Sequence, residues 1–97
     1  MSIAVIVRPR AEADLQEARR WYEDRRPGLG DELVTAVRDT VRSLAENPER
    51  HPLYYRGFRR ALLRRFPYKV FYRFEQDLVI VFRILHVKQD HTRWLPE

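Results

Sequence analysis

Three histidines, His51, His86 and His91, are the side chains in this sequence best suited to moving a proton near neutral pH. His51 precedes Pro52 in a polar stretch, His86 ends an apolar run, and His91 lies in the tail. None has the His-Glu-x-x-His spacing that turns two imidazoles towards one metal, and each also fits a surface or edge histidine. Neither a metal nor a cofactor is expected. The carboxylates fall mostly on helical stretches, where basic neighbours account for them, and not in a pattern suited to paired acid–base chemistry. Ser2 and Ser43 are the only serines and neither sits in a nucleophile elbow. Gly28-Leu29-Gly30 follows a helix and not a strand, so it reads as a turn and helix start instead of a phosphate loop.

What remains is a basic, aromatic second half. Arg56, Arg59, Arg60, Arg64, Arg65, Lys69, Arg73, Arg83, Lys88 and Arg93 are interleaved with Tyr54, Tyr55, Phe58, Tyr68, Tyr72 and Trp94. Guanidinium groups grip phosphate in pairs of hydrogen bonds, and aromatic rings stack on unpaired bases. The same set suits the carboxylates of an acidic peptide that orders on binding. It also suits a plain core with a wet arginine rim. Residues 1–55 carry nine Lys/Arg against ten Asp/Glu, a net of −1, while residues 56–97 carry ten against four, a net of +6. Such asymmetry points to a polyanion or an acidic protein segment as partner, without choosing between them.

The elements that must position these residues follow from periodicity. Residues 3–8 are apolar and β-branched and predict a first strand closed by Pro9. Ala11, Leu15, Ala18 and Trp21 or Tyr22 then recur at helical spacing, with acids early and bases late as the helix dipole favours. Arg26-Pro27-Gly28-Leu29-Gly30 turns the chain. A second helix is predicted from about Asp31 to Glu46, with Leu33, Val37, Val41 and Leu44 as its stripe, stopped by Asn47-Pro48. The short link predicts a helical hairpin. Pro48 to Tyr55 reads as a polar connector. Strands are predicted over 57–65, over 68–74 with Tyr68, Val70, Tyr72 and Phe74 on one face, and from Leu78 to Val87. The last is apolar enough to be buried on both faces. The fold class is α+β, in the order β-α-α-β-β-β, with the hairpin on one face of a mainly antiparallel four-stranded sheet.

Ninety-seven residues, 44% of them hydrophobic, suffice for one domain over residues 1–97. The absence of cysteine removes disulfides, thiolate metal sites and cysteine nucleophiles, and fits a reducing cytoplasm. The apolar N-terminus is too short, and lacks the basic lead, for a secretory signal, and no run approaches the ~20 apolar residues of a membrane span.

On these residues the chain resembles the RelE/ParE toxin superfamily. Ala13-Asp14-Leu15-Gln16-Glu17-Ala18 with Trp21-Tyr22-Glu23 and Pro27-Gly28-Leu29-Gly30 are similar to the first half of ParE-type toxins, as is Leu44 through Asn47-Pro48 to His51-Pro52. The run from Arg59 to Tyr72, the last strand with His86, and the tail with Asp90 and Trp94 complete a resemblance over nearly the whole chain. It implies the toxin of a type II toxin–antitoxin pair, cytoplasmic, held inactive in a hetero-oligomer with a small antitoxin. The superfamily contains two activities: cleavage of messenger RNA on the ribosome, and poisoning of DNA gyrase.

The nuclease branch has an arginine where this chain has Lys69, a Lys-Arg pair where it has Lys88-Gln89, and a terminal tyrosine nearest to Trp94, whose indole cannot serve as a phenol. If the chain is a nuclease, Lys69, Lys88 and His86 carry the reaction, with His91 as the other histidine available for proton transfer. The incomplete set favours the gyrase branch. Target contact is expected through Arg60, Arg65, Arg83, Lys88 and Trp94, and antitoxin contact through Trp21, Tyr22, Arg59 and Arg73. A third reading is a non-toxic relative that keeps the fold and the partner.

Overall fold

The structure is a computed structural model and describes residues 3–95. Its elements run β1 (Ala4–Val7), α1 (Pro9–Arg25), α2 (Leu29–Glu46), β2 (Leu53–Tyr55), β3 (Phe58–Leu62), β4 (Tyr68–Glu75), β5 (Leu78–His86) and α3 (His91–Trp94). The predicted order and class hold, with one strand more than expected. The sheet has five strands in the order β1-β5-β4-β3-β2. β1 lies parallel to β5 and every other pairing is antiparallel. The additional strand, β2, comes from the stretch read as a connector. Its three residues pair with β3 through a shifted register, too short a segment for alternation to show.

The helices form because α1 offers Ala11, Leu15 and Ala18, and α2 offers Leu33, Val37 and Leu44, at helical spacing and fully buried. α2 starts at Leu29, two residues before the expected Asp31, because a side chain from α1 caps it. Glu23 Oε2 accepts from Gly28 N at 2.8 Å and Oε1 from Gly30 N at 2.9 Å, satisfying donors that a helix start leaves open. Gly30 is required by proximity: a Cβ there would stand 2.6 Å from the Arg19 carbonyl oxygen. Arg19 also binds Asp31 at 2.9 Å, closing the hairpin.

Both tight hairpins use left-handed backbone, Arg56-Gly57 between β2 and β3 and Gln76-Asp77 between β4 and β5. Between Phe71 and Tyr72 the register slips, so Phe71 faces Arg83 while Tyr72 faces Val81 and Phe82 is left over. This bulge changes the alternation of β5: Val79, Val81 and Ile84 all join the helix-side core. Leu85 joins a second cluster on the outer face with Phe58, Phe71 and Leu95. The C-terminal turn therefore folds back over the sheet face opposite the helices.

Candidate functional site

The outer face is built from alternate residues of β3, β4 and β5. Arg60 stands opposite Phe71, and Lys69 opposite Leu85. The Arg60 guanidinium lies 3.7 Å from the centroid of the Tyr54 ring. Neither Arg60 nor Lys69 has an ion-pair partner among the described residues. Burial pushes the Lys69 ammonium below its ordinary value, and Arg60 pushes it further. On the same face Arg73 lies over Phe58 at 4.1 Å and Arg8 over Phe82 at 4.6 Å.

His91 closes one end of this face. Asp90 caps the short α3 by accepting from the Thr92 amide at 3.2 Å and its hydroxyl at 2.7 Å. That cap turns the His91 ring inward, 4.6 Å from Phe71 and 6.4 Å from Tyr54, with Nε2 3.4 Å from the His86 carbonyl oxygen. Burial pushes the His91 imidazole down, the His86 carbonyl opposes this, and Lys69 and Arg60 push it further down. The ring is therefore neutral at pH 7 and only 7% exposed.

The sequence-derived nuclease trio is not assembled. Lys69 points to the outer face with Leu85, whereas His86 pairs with Tyr68 and meets its ring edge to face at 5.2 Å, on the helix side. Lys88 lies in the turn beyond β5, its amide donating to His86 Nδ1 at 3.1 Å. Among the described residues no three His, Asp or Glu side chains converge to hold a metal ion.

The five residues chosen for target contact are dispersed. Arg60 lies on the outer face, and Arg65 pairs with Glu32 of α2, holding that carboxyl below its usual range. Trp94 is 41% exposed on α3. Arg83 is buried: its Nε and Nη2 donate to the Asp14 oxygens at 2.7 and 2.9 Å, and Nη1 donates to the Trp94 carbonyl at 3.1 Å. Asp14 also accepts from the Ile84 amide at 3.0 Å. Arg83 thus ties α1 to β5 and to the C-terminal turn.

The four residues chosen for antitoxin contact occupy three places. Trp21 and Tyr22 meet at 4.8 Å on α1, and Tyr22 packs on Phe66 at 5.2 Å. Arg59 is committed to the segment before β2, donating to the His51 carbonyl at 2.6 Å and the Glu49 carbonyl at 3.3 Å. Arg73 lies on the outer face and donates to the Arg56 carbonyl at 2.9 Å.

A groove of about 500 Å³ runs along the other side of β5, between α1 and the C-terminal turn. Arg10, Asp14, Glu17 and Trp21 wall it from successive turns of α1, with Ala18 as floor. Tyr22, Tyr68, His86 and Trp94 supply the remaining rings. Burial pushes the phenols of Tyr22 and Tyr68 up, and for Tyr68 the neighbouring Tyr22 and Glu17 add to it.

His91 was available to the sequence reading as one of two histidines, but Tyr54, Asp14 and Glu17 were not placed at a site. Asp14 had a usable signal, a lone acid inside the Ala11, Leu15, Ala18 stripe, which demands a buried cation. Tyr54 had none, because its place depends on β2.

A family model described as the ParE toxin of the type II toxin–antitoxin system parDE matches residues 5–91. No curated protein matches the sequence. Solved structures that share the fold include two from toxin–antitoxin systems. A chain of the chromosomal ParDE toxin–antitoxin system of P. aeruginosa aligns with a TM-score of 0.79 at 20% identity, over 88% of this chain and 96% of that one. A chain of the RelBE2 toxin–antitoxin complex of Mycobacterium tuberculosis aligns with a TM-score of 0.64 at 22% identity, over 89% of this chain and 99% of that one.

Proposed function

Because the chain belongs to the ParE toxin family of type II toxin–antitoxin systems, we propose that it inhibits DNA gyrase by binding and is neutralised by a cognate antitoxin. One observation carries the preference for binding over cutting. The unpaired cations Arg60 and Lys69 face outward, while His86 is on the other face and His91 is buried with its Nε2 at a carbonyl. A hydrolytic or transesterifying site needs an accessible proton acceptor and donor beside its charge stabilisers. Here the charge is presented without them.

In this reading Arg60 and Lys69, stiffened by Tyr54, form the centre of the target surface, and Trp94 and Lys88 extend it. Arg83 acts by holding the C-terminal turn in place, and Arg65 by holding the β3–β4 bend to α2. The antitoxin segment, disordered until bound, lies along the helix-side groove at Trp21 and Tyr22. The site of action is the cytoplasm, where gyrase and the antitoxin are both met. Induced expression in a bacterium tests the reading. It predicts DNA breaks and filamentous cells with translation continuing at first; rapid translation arrest with intact DNA refutes it.

The convergence of Arg60, Lys69 and His91 on one face supports a second reading, a ribosome-dependent messenger RNA endonuclease. It requires the C-terminal turn to shift so that His91 reaches solvent, and cut transcripts on induction would be its mark.

A further inference from the structure

Of the acids that wall the helix-side groove, one is spent and one is free. Asp14 has both oxygens engaged by Arg83 and a third hydrogen bond from Ile84. Glu17, one turn further along α1, has neither an ion pair nor a hydrogen bond to any described residue, and it is exposed. It lies in the same groove as Trp21, Tyr22 and Tyr68, three rings packed edge to face: Trp21 meets Tyr22 at 4.8 Å and Tyr22 meets Tyr68 at 6.2 Å. Trp21 is 49% exposed and Trp94, at the far wall, 41%. Arg10, the unpaired cation of the groove, stands seven residues before Glu17, about 10 Å away along the helix axis at 1.5 Å per residue.

Aromatic faces beside a lone carboxylate favour a cation and disfavour an anion. Ring quadrupoles attract a guanidinium at their faces, and a planar guanidinium stacks there better than a compact ammonium does. The chain's own Arg25 already takes one face of Trp21, its guanidinium 3.3 Å from the ring centroid, which leaves the tyrosine rings beside Glu17 for an entering one. An entering carboxylate would meet Glu17 and the negative ring faces instead.

We propose that the groove between α1 and the C-terminal turn receives an arginine of the antitoxin segment, flanked by apolar side chains. The arginine lies against Tyr22 and Tyr68 with its charge met by Glu17, and the apolar neighbours cover what Arg25 leaves exposed of Trp21 and the exposed part of Trp94. The inference rests on the antitoxin reading above and reverses its simple charge logic at one place. A basic toxin binds its acidic partner through the outer arginines, while the groove sets register by accepting the opposite sign.

The full chain, titrated with three N-acetylated, C-amidated tripeptides, Leu-Arg-Leu, Leu-Glu-Leu and Leu-norleucine-Leu, tests this without toxicity or gyrase entering the measurement. Binding is read from the Trp21 and Trp94 indole N–H signals in proton–nitrogen correlation spectra and from tryptophan fluorescence. The arginine peptide is expected to bind tightest, and Glu17→Gln to weaken it about fivefold while leaving the norleucine peptide unchanged. The proposal is overturned if the glutamate or norleucine peptide binds as tightly as the arginine one. It is equally overturned if the indole signals do not respond to the arginine peptide, or if Glu17→Gln has no effect on its binding. An inactive toxin that still prefers the arginine peptide would instead count against the functional reading alone.

Discussion

Replacing Asp14 by alanine should be among the most damaging single changes in this protein. The Asp14 and Arg83 side chains are 7% and 8% exposed, and the carboxylate accepts from Arg83 twice and from the Ile84 amide once. Without Asp14 the Arg83 guanidinium stays buried with only the Trp94 carbonyl as partner, and the Ile84 amide loses its acceptor. Removing one member of a buried pair costs about 3–5 kcal/mol, a large share of the ~5–15 kcal/mol that holds a domain folded. For a chain of this length that lowers Tm by at least about 12 °C. Replacing both partners, Asp14→Leu with Arg83→Met, removes the stranded charge, so the double variant should recover most of the loss. Thermal unfolding followed by circular dichroism measures both, and Trp94 fluorescence reports whether the C-terminal turn stays docked. A fall of less than about 4 °C for Asp14→Ala, or a double variant no more stable than the single, would refute the assignment of Arg83 as a buried tie.

Gly30→Ala should destabilise by about 1–3 kcal/mol, because its Cβ would stand 2.6 Å from the Arg19 carbonyl; a gain, as helix propensity alone predicts, would contradict the close helix contact. Tyr72→Phe should cost about 1–3 kcal/mol in denaturant unfolding, since the buried Pro48 carbonyl loses the hydroxyl that donates to it at 2.9 Å. Burial pushes His91 and His51 below their ordinary value, so the unfolded chain binds protons first as pH falls. Stability should therefore be full above about pH 6.5 and decline below it until the folded histidines also protonate. His91→Leu should remove one proton's share of that slope, and an unchanged slope would show that His91 does not cause it. Glu32 and Asp90, held low by hydrogen bonds from Arg65 and Thr92, act only in the separate acid window below about pH 4.5.

Periodicity made the two helices, the hairpin and three of the C-terminal strand positions legible, because each buries one regular stripe. What escaped was set by contacts between distant residues. α2 begins early because Glu23, on the other helix, caps it. β2 is three residues long, and it exists because β3 offers it an edge. Alternation put Tyr68, Val70, Tyr72 and Phe74 of β4 on one face, where the helix-side core takes them, but the same alternation, run through β5, misses the bulge at Phe82. That bulge and the Asp14 pair are why Arg83 is buried, although in sequence it looks like any other arginine on a basic strand. His86 and His91, five residues apart, end on opposite sides of the sheet because the chain turns at Lys88-Gln89 and folds back under the Asp90 cap.

The central claim, that the outer face of a ParE-family toxin acts on gyrase by binding, is tested most directly with purified components. Gyrase, supercoiled DNA and ATP are incubated with the protein and with its Arg60→Ala/Lys69→Ala variant, and cleaved DNA is counted after denaturing the enzyme. The wild-type chain is expected to accumulate cleaved DNA, and the variant, folded with unchanged Tm, to accumulate far less. Gyrase left untouched by the wild-type chain, with messenger RNA cut on programmed ribosomes instead, would contradict it.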